Sequence, residues 1–198
     1  TMGHYVHNLQ RVKIHYLAAS AHKFHGPKGV GFLYCRRGTP LTQLLKGGGQ
    51  EARLRAGTEN IAGIVGLTKA LELAYEHLDS HQAYIQGLKS QLINGLLNHV
   101  PHITFNGRCS DADKSLYTVL SVSLPDAGTD LLRCLDHLGI AVSGGSACSA
   151  GAASHVLSAL KITPGKHTIR FSFSRFNTPH EIDQVVASLT GILQPVAA

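Results

Sequence analysis

A lysine with a serine and a histidine just before it is the first group in this sequence suited to covalent chemistry. Lys23 follows Ser20 and His22 on a short connection between two apolar stretches, residues 12–17 and 30–35, which are typical of strands. A lysine amine can condense with a carbonyl, and apolar walls or cationic neighbours make such an amine more nucleophilic. Ser20, His22 and backbone N–H groups are suited to holding an anion beside it. The alternative is a surface lysine in a hairpin.

The thiol of Cys148 is a second candidate for covalent chemistry. Every other side chain in residues 143–153 is small or polar. Such a stretch has no apolar surface to bury and is predicted to form an exposed loop. An exposed thiol reacts as a nucleophile when neighbouring groups stabilise its thiolate. The other interpretation is a small residue that happens to be cysteine.

A glycine-rich segment in the first half of the chain is suited to binding an anion. Glycines at 47–49 are followed by Arg55 and Thr58, and a helical spacing of apolar residues begins directly afterwards. Thr58 is therefore predicted to be the N-cap of that helix. A helix start with free N–H groups binds phosphate well, although an ordinary cap is the commoner use of such a threonine.

An arginine in a strand-like stretch near the C-terminus is the last candidate. Residues 168–173 alternate between apolar and polar types, so Arg170 is predicted to face away from the core. It is either a solvated charge at the rim or a guanidinium that holds a carboxylate through two hydrogen bonds. Arg175 is the second choice for that role.

The elements that must position these groups alternate between helix and strand, which predicts a layered α/β protein. Helical spacing runs from residue 58 to about residue 98, and we place a domain boundary near Asp79. The predicted domains are residues 1–79 and 80–198. In the second domain, strands are predicted at 103–105, 120–124 and 140–142. Helices are predicted to be capped by Thr129, Ser154 and Thr178.

The composition fits a folded enzyme domain and disfavours several other classes. The 198 residues are 43% hydrophobic and 15% charged, with a formal net charge of +6. The basic residues are scattered, so no direct nucleic-acid binding is expected. No apolar run has the roughly 18 residues of a membrane span. The four cysteines form no Cys-x2-Cys pair, so no metal is expected, and we expect a cytoplasmic protein.

In order along the chain, these motifs resemble the cysteine desulfurases of the class V aminotransferase family, which use pyridoxal phosphate. The shared segments are Ser-x-His-Lys ending at Lys23, Arg-x-Gly-Thr ending at Thr58, Gly-Ser-Ala-Cys ending at Cys148, and Arg-x-Ser beginning at Arg170. The resemblance implies the end of a large domain of the fold type I transferases, followed by a smaller α/β domain that carries the cysteine. It also implies that further cofactor-binding residues of the family precede this stretch, so the chain corresponds to a C-terminal half.

The resemblance also assigns roles to the candidate residues. Lys23 would carry pyridoxal phosphate, and Ser20 and His22 would contact its phosphate. Thr58 would reach the cofactor phosphate of the partner subunit in a homodimer. Arg170 would hold the substrate carboxylate, and Cys148 would attack the substrate sulfur.

The implied reaction removes sulfur from L-cysteine, giving L-alanine and a persulfide on the enzyme. That sulfur would pass to an acceptor or scaffold protein, for iron–sulfur cluster assembly or tRNA thiolation. The alternatives are a selenocysteine or cystine lyase, another class V aminotransferase, or a fragment that is inactive without the upstream part of the site.

Overall fold

The structure is a computed structural model that describes residues 1–144, 154–162 and 167–193. It confirms the predicted mixture of helices and strands. The chain divides into two compact units, Thr1–Ser80 and His81–Ala198. Cys148, near the middle of residues 143–153, lies outside the described residues.

The first unit is built around a two-stranded antiparallel hairpin. Strand β1, Tyr16–Ser20, pairs with β2, Gly31–Cys35, so that Ser20 lies opposite Gly31. The predicted strand at 12–17 is wrong at its start, since β1 begins only at Tyr16. The side chain of Arg36 binds backbone carbonyls of the preceding stretch. Its guanidinium donates to the carbonyls of Leu9, Val12 and Ile14. Backbone acceptors held in this way are not available to a strand ladder.

Helix α1, Ile61–Glu76, covers the hairpin of the first unit. Its Leu67 is buried with Ala21 and Phe24, and side chains from both strands pack against this cluster. The predicted N-cap at Thr58 is wrong. Asn60 caps the helix instead, because its Oδ1 accepts from the Gly63 N–H at 3.0 Å. Both residue types make good caps, and the helix begins two residues later than the apolar spacing indicates.

The second unit contains a three-stranded antiparallel sheet in the order β3-β4-β5. The strands are β3, Thr104–Phe105; β4, Val119–Leu124; and β5, His167–Ser172. On β5 and just beyond it, Ile169, Phe171 and Phe173 are buried as predicted, and Arg170 is half-buried. The predicted strand at 140–142 does not form, and only Ser143 makes a bridge to β5.

A polar side chain is buried inside this sheet. Ser123 alternates with the apolar residues of β4, and its side chain is nevertheless fully buried. Its hydroxyl donates to Asn106 Oδ1 at 2.8 Å and lies 3.2 Å from the Thr168 hydroxyl. Those partners remove most of the cost of burying the hydroxyl.

Among the described residues, four helices complete the second unit. They are α2, Leu78–His99, which begins within the first unit; α3, Leu131–His137; α4, His155–Ala159; and α5, Pro179–Leu193. The caps at Ser154 and Thr178 are confirmed, the latter as a capping box with Glu181. The predicted cap at Thr129 is wrong, because Asp130 accepts from the Arg133 N–H. Among the described helices, none is long and apolar enough to cross a membrane.

Candidate active site

Lys23 lies on a short 3-10 turn, Ala21–Phe24, that directly follows β1. The two ends of the turn are buried, because Ala21 and Phe24 belong to the core of the first unit. The side chains between them, His22 and Lys23, are therefore exposed. Two hydrogen bonds close the turn: Ala21 N–H donates to the Val30 carbonyl at 3.0 Å, and Gly26 N–H donates to the Ala21 carbonyl at 2.9 Å.

Close backbone contacts hold this turn in place. A Cβ atom on Gly26 would lie 2.9 Å from the Ala21 Cβ, and one on Gly3 would lie 2.8 Å from the Phe24 Cβ. Such distances leave no room for a side chain larger than hydrogen. The lysine is thus carried by a turn that is anchored from two sides, which is how a reactive side chain is kept in one position.

Three polar side chains around the turn are available to a ligand. Within the described residues, Ser20, His22 and Lys23 make no side-chain hydrogen bond or ion pair, and Ser20 does not cap the turn. Ser20 and Lys23 line a cleft of about 230 Å³ together with residues 1–2, 17–19 and 24. The cleft brings an amine and a hydroxyl together but holds no carboxylate.

Thr58 lies in the segment between the hairpin and α1. Its side chain is exposed and has no partner among the residues that the structure describes. Since Asn60 supplies the cap, the threonine hydroxyl is not used to start the helix. Nearby, the Arg55 guanidinium donates to the Ala56 carbonyl at 2.6 Å, and the Gln50 amide oxygen accepts from the Gly57 N–H. Thr58 is not among the residues that line the cleft at Lys23.

Arg170 lies on β5 with hydrogen-bonded neighbours on both sides. On one side it pairs with Ser121 of β4, and on the other it exchanges two backbone hydrogen bonds with Ser143. Arg170 N–H donates to the Ser143 carbonyl at 2.7 Å, and Ser143 N–H donates to the Arg170 carbonyl at 3.2 Å. The backbone at Ser143, which leads towards Cys148, is therefore fixed beside Arg170. In the described part of the chain, the Arg170 guanidinium has no hydrogen-bond or ion-pair partner. Arg175, the second choice, lies over the Phe176 ring at 4.9 Å.

Comparison with known proteins identifies the family of the chain. Residues 1–185 match the aminotransferase class-V family. The chain belongs to that family.

The chain is also similar to several individual proteins and solved structures. A cysteine desulfurase of Gluconacetobacter diazotrophicus is 41% identical over 191 residues, which are 94% of this chain and 47% of that protein. A cysteine desulfurase of Klebsiella pneumoniae is 44% identical over 192 residues, with 95% and 48% covered. Among solved structures, a NifS-like protein has a TM-score of 0.83 at 37% identity, covering 98% of this chain and 50% of that one. The chain thus spans about half the length of the curated relatives it matches.

Sequence patterns missed one charged group in this class-V aminotransferase chain. Lys89 on α2 is fully buried, and its Nζ donates to the Ser115 hydroxyl and the Leu116 carbonyl, each at 2.8 Å. Burial lowers the pKa of Lys89, and Cys109 nearby acts in the opposite direction. No local signal separates this lysine from a surface one, because its partners lie 26 and 27 residues away.

Two histidines at the junction of α1 and α2 have a spacing that bears on metal binding. His77 and His81 are four residues apart in the sequence, a spacing that occurs in zinc sites. No group of three or more potential metal ligands forms among the described residues, however.

Proposed function

We propose that this chain is the C-terminal half of a pyridoxal-phosphate-dependent cysteine desulfurase. The observation that carries the proposal is Lys23 on an anchored turn, beside the Ser20 hydroxyl in one cleft, with neither side chain bound to a partner among the described residues. The 41% identity to a cysteine desulfurase supports it. The first unit would then be the end of the cofactor-binding domain, and the second unit would be the smaller domain that carries Cys148.

The residues at the lysine turn fit the groups that pyridoxal phosphate presents. The Lys23 amine would hold the aldehyde carbon, and Ser20 and His22 would donate to the phosphate. No carboxylate lines the cleft, so the partner of the pyridine nitrogen would come from elsewhere in the longer protein. When bound, pyridoxal phosphate supplies an electron sink for the carbon that loses its proton. The Lys23 amine, once displaced by substrate, would move that proton.

Arg170 would set the position of L-cysteine. A guanidinium binds a carboxylate through two parallel hydrogen bonds, so it fixes the orientation of an α-amino acid as well as its affinity. The guanidinium has no partner among the residues that the structure describes and lies on a strand held from both sides, so it is suited to this task.

Cys148 would accept the sulfur. Its thiolate would attack the sulfur of L-cysteine, forming an S–S bond as the C–S bond breaks. The electron pair of the broken bond stays on carbon, which takes up a proton and leaves as L-alanine. The persulfide on Cys148 would then pass its terminal sulfur to an acceptor protein. Thr58 would bind the cofactor phosphate of the second subunit of a homodimer.

The experiment uses the full-length protein with L-cysteine as substrate. Sulfide and alanine are measured with and without the substitution Cys148→Ser, and the absorbance of bound cofactor is recorded in each sample. We expect Cys148→Ser to keep the cofactor and to stop the release of sulfide and alanine. Cys134→Ser, a half-buried thiol of α3, is the matched control and should retain turnover. Undiminished turnover in Cys148→Ser would exclude Cys148 as the acceptor.

A second measurement tests the role of Arg170. Arg170→Ala should raise the Michaelis constant for L-cysteine and lower kcat/KM by about 10²-fold or more, since it removes a charge-assisted pair. Arg170→Lys keeps the charge but loses the fork, so an intermediate loss is expected. Arg175→Ala should change the Michaelis constant little. An unchanged Michaelis constant in Arg170→Ala would reject the assignment.

A further inference from the structure

Polar side chains share one face of the three-stranded sheet. On β4, Ser121 and Ser123 alternate with three buried apolar residues, so the serines point to the opposite face from these. The residues of β5 that lie directly opposite the two serines are Arg170 and Thr168. Directly opposite residues of an antiparallel pair project from the same face. The candidate carboxylate-binding arginine therefore lies on a face that also carries hydroxyl groups.

Ser121 and Arg170 form the closer of the two kinds of antiparallel pair. The N–H and C=O of Arg170 both bond to Ser143, on the side away from β4, and the Ser121 carbonyl accepts from the Asn106 N–H at 2.9 Å. The backbone groups of the two residues thus point away from each other, which defines a non-hydrogen-bonded pair. In such a pair the Cα atoms are about 4.5 Å apart and the side chains are closest. The Ser121 hydroxyl is consequently a near neighbour of the Arg170 side chain.

Asn106 holds the Ser121 hydroxyl in place. This asparagine directly follows β3 and is 5% exposed. Its Nδ2 donates to Ser121 Oγ at 3.0 Å, and its Oδ1 accepts from the Ser123 hydroxyl at 2.8 Å. Both ends of the amide are used, so the two serines fix its orientation. The position of Ser121 Oγ is therefore set by a buried group outside its own strand.

The hydroxyl hydrogen of Ser121 has no acceptor in the part of the chain that the structure describes. A serine hydroxyl carries one donor and two acceptor sites, and the Asn106 amide uses an acceptor site. The guanidinium of Arg170 has donors only, so it does not take the hydrogen either. Two side chains that both need an acceptor thus stand side by side at half-buried positions. A group with two anionic oxygens satisfies both of them.

We propose that Ser121 binds the carboxylate of the amino-acid substrate together with Arg170, and that Asn106 is the positioning residue that holds the Ser121 hydroxyl. The guanidinium takes the carboxylate through charge-assisted hydrogen bonds, and the hydroxyl donates a further one to the same group. A carboxylate has about four acceptor sites, which is enough for both residues. This inference rests on the proposed function, in which Arg170 is the group that binds the substrate carboxylate.

The test measures the binding of two small molecules to the full-length protein with its cofactor, by calorimetry. L-alanine has the amine and the carboxylate of the substrate, and L-alaninamide has a neutral amide in place of the carboxylate. The variants are Ser121→Ala and Ser121→Thr, of which the second keeps a hydroxyl. Ser90→Ala is the matched control, because the half-buried Ser90 of α2 also accepts from a side-chain amide, that of Gln86, at 3.5 Å.

We expect Ser121→Ala to weaken the binding of L-alanine by about tenfold or more, since a hydrogen bond to a charged group is lost. Binding of L-alaninamide should weaken by less than about threefold, because a neutral acceptor forms a weaker bond. Ser121→Thr should stay within about threefold of the unchanged protein, and Ser90→Ala should bind both molecules normally. In turnover of L-cysteine, Ser121→Ala should raise the Michaelis constant and leave kcat within about threefold.

A double variant tests the positioning role of Asn106. Asn106→Ala alone should also weaken L-alanine binding, because the Ser121 hydroxyl is no longer held. In Ser121→Ala the asparagine has no hydroxyl to position, so adding Asn106→Ala should weaken binding by no more than about twofold further. Additive losses would reject the positioning role. Should Asn106→Ala fail to fold, Ser121→Ala and Ser121→Thr still decide the substrate contact.

Three results would overturn the inference. They are equal binding of L-alanine by Ser121→Ala and the unchanged protein, equal weakening of L-alanine and L-alaninamide, and no binding of L-alanine by the unchanged protein. Failure of the proposed function gives a different result, in which the unchanged protein binds L-alanine but releases no sulfide from L-cysteine. Even then, the comparison of Ser121→Ala with Ser90→Ala decides whether the hydroxyl binds the carboxylate.

Discussion

Two lysines of this protein illustrate opposite uses of the same side chain. Lys23 is exposed on a rigid turn and has no partner in the described structure, whereas Lys89 is fully buried and donates two hydrogen bonds. Burial lowers the pKa of Lys89. A perturbed pKa is often taken as a sign of a functional site. Here it accompanies a lysine that donates to the Ser115 hydroxyl and the Leu116 carbonyl, so its role is structural.

The difference teaches that permanent hydrogen-bond partners, which Lys89 has and Lys23 lacks among the described residues, distinguish the two lysines. An amine that must form and release a covalent bond needs freedom from permanent partners and a fixed backbone beneath it. The turn at 21–24 supplies that backbone through the burial of Ala21 and Phe24. In Lys89 the amine itself is held by its two hydrogen-bond partners, and these also fix its long alkyl chain.

The sharpest test of the comparison is Lys23→Ala in the full-length protein. We expect loss of the absorbance of bound cofactor and a fall in kcat of at least about 10³-fold. Stability without cofactor should change by no more than about 0.5 kcal/mol, since the side chain is exposed. Lys28→Ala, an exposed lysine of the same connection, is the control and should retain both cofactor and turnover. A Lys23→Ala protein that still shows the cofactor band would contradict the assignment.

Phe24→Ala tests whether the turn beneath Lys23 depends on its buried anchor. Phe24 is 2% exposed, so truncation should cost about 3–5 kcal/mol in the free energy of unfolding. Cofactor affinity should fall as well, because the turn loses its support. Phe176→Ala is the control: its ring is 67% exposed and should cost no more than about 1 kcal/mol. Denaturant unfolding and cofactor titration of both variants supply the measurements.

Lys89→Met tests the structural lysine. The methionine fills similar space but leaves the Leu116 carbonyl without its donor, so we expect a loss of about 1–3 kcal/mol. The cofactor band should be unchanged. Lys114→Met, an exposed lysine paired with Asp111 at 3.8 Å, should cost no more than about 0.5 kcal/mol. Equal losses in the two variants would mean that the buried hydrogen bonds of Lys89 add nothing.

The pH dependence of the same variant gives a second readout. The pKa of Lys89 is lower in the folded protein than in the unfolded chain, so the unfolded chain binds the proton more tightly. The stability of the unchanged protein, relative to Lys89→Met, should therefore rise as pH increases from the folded pKa towards the ordinary lysine value. Denaturant unfolding at neutral pH and about two units higher measures the difference. A falling difference would show that the charged form is the preferred one in the fold.

The smallest effect is expected at the start of α1. Asn60→Ala removes the cap on Gly63 and should cost about 1 kcal/mol. Thr58→Ala should leave stability unchanged, because the threonine does not cap the helix, and should weaken cofactor binding in the full-length protein. The reverse pattern, with Thr58 important for stability and Asn60 neutral, would restore the ordinary-cap interpretation.

The sequence predicts those parts of the fold that depend on local patterns. Alternation alone predicts the burial of Ile169, Phe171 and Phe173, and the capping box of Thr178 and Glu181 is visible as a motif. The roles proposed for Lys23 and Arg170 come from family resemblance. The structure adds that Lys23 is exposed, that Arg170 is half-buried, and which backbone hydrogen bonds support each of them.

Distant contacts explain most of what local patterns miss. Strand β1 begins late because Arg36, more than twenty residues further on, binds the carbonyls before it. Lys89 is buried because Ser115 and Leu116 meet it from a separate loop. Ser123 is buried because Asn106 supplies a partner from outside its strand. The choice between Thr58 and Asn60 fails for a different reason, because both residue types make good caps.

The hydrogen bonds from Arg36 to the segment at 9–14 also affect self-association. An extended chain with unsatisfied carbonyls can recruit a strand from a neighbouring molecule and so begin aggregation. Here three carbonyls of the segment already accept hydrogen bonds from the Arg36 guanidinium. A lysine at position 36 has no planar fork with which to bind all three, so Arg36→Lys should promote strand addition at this segment.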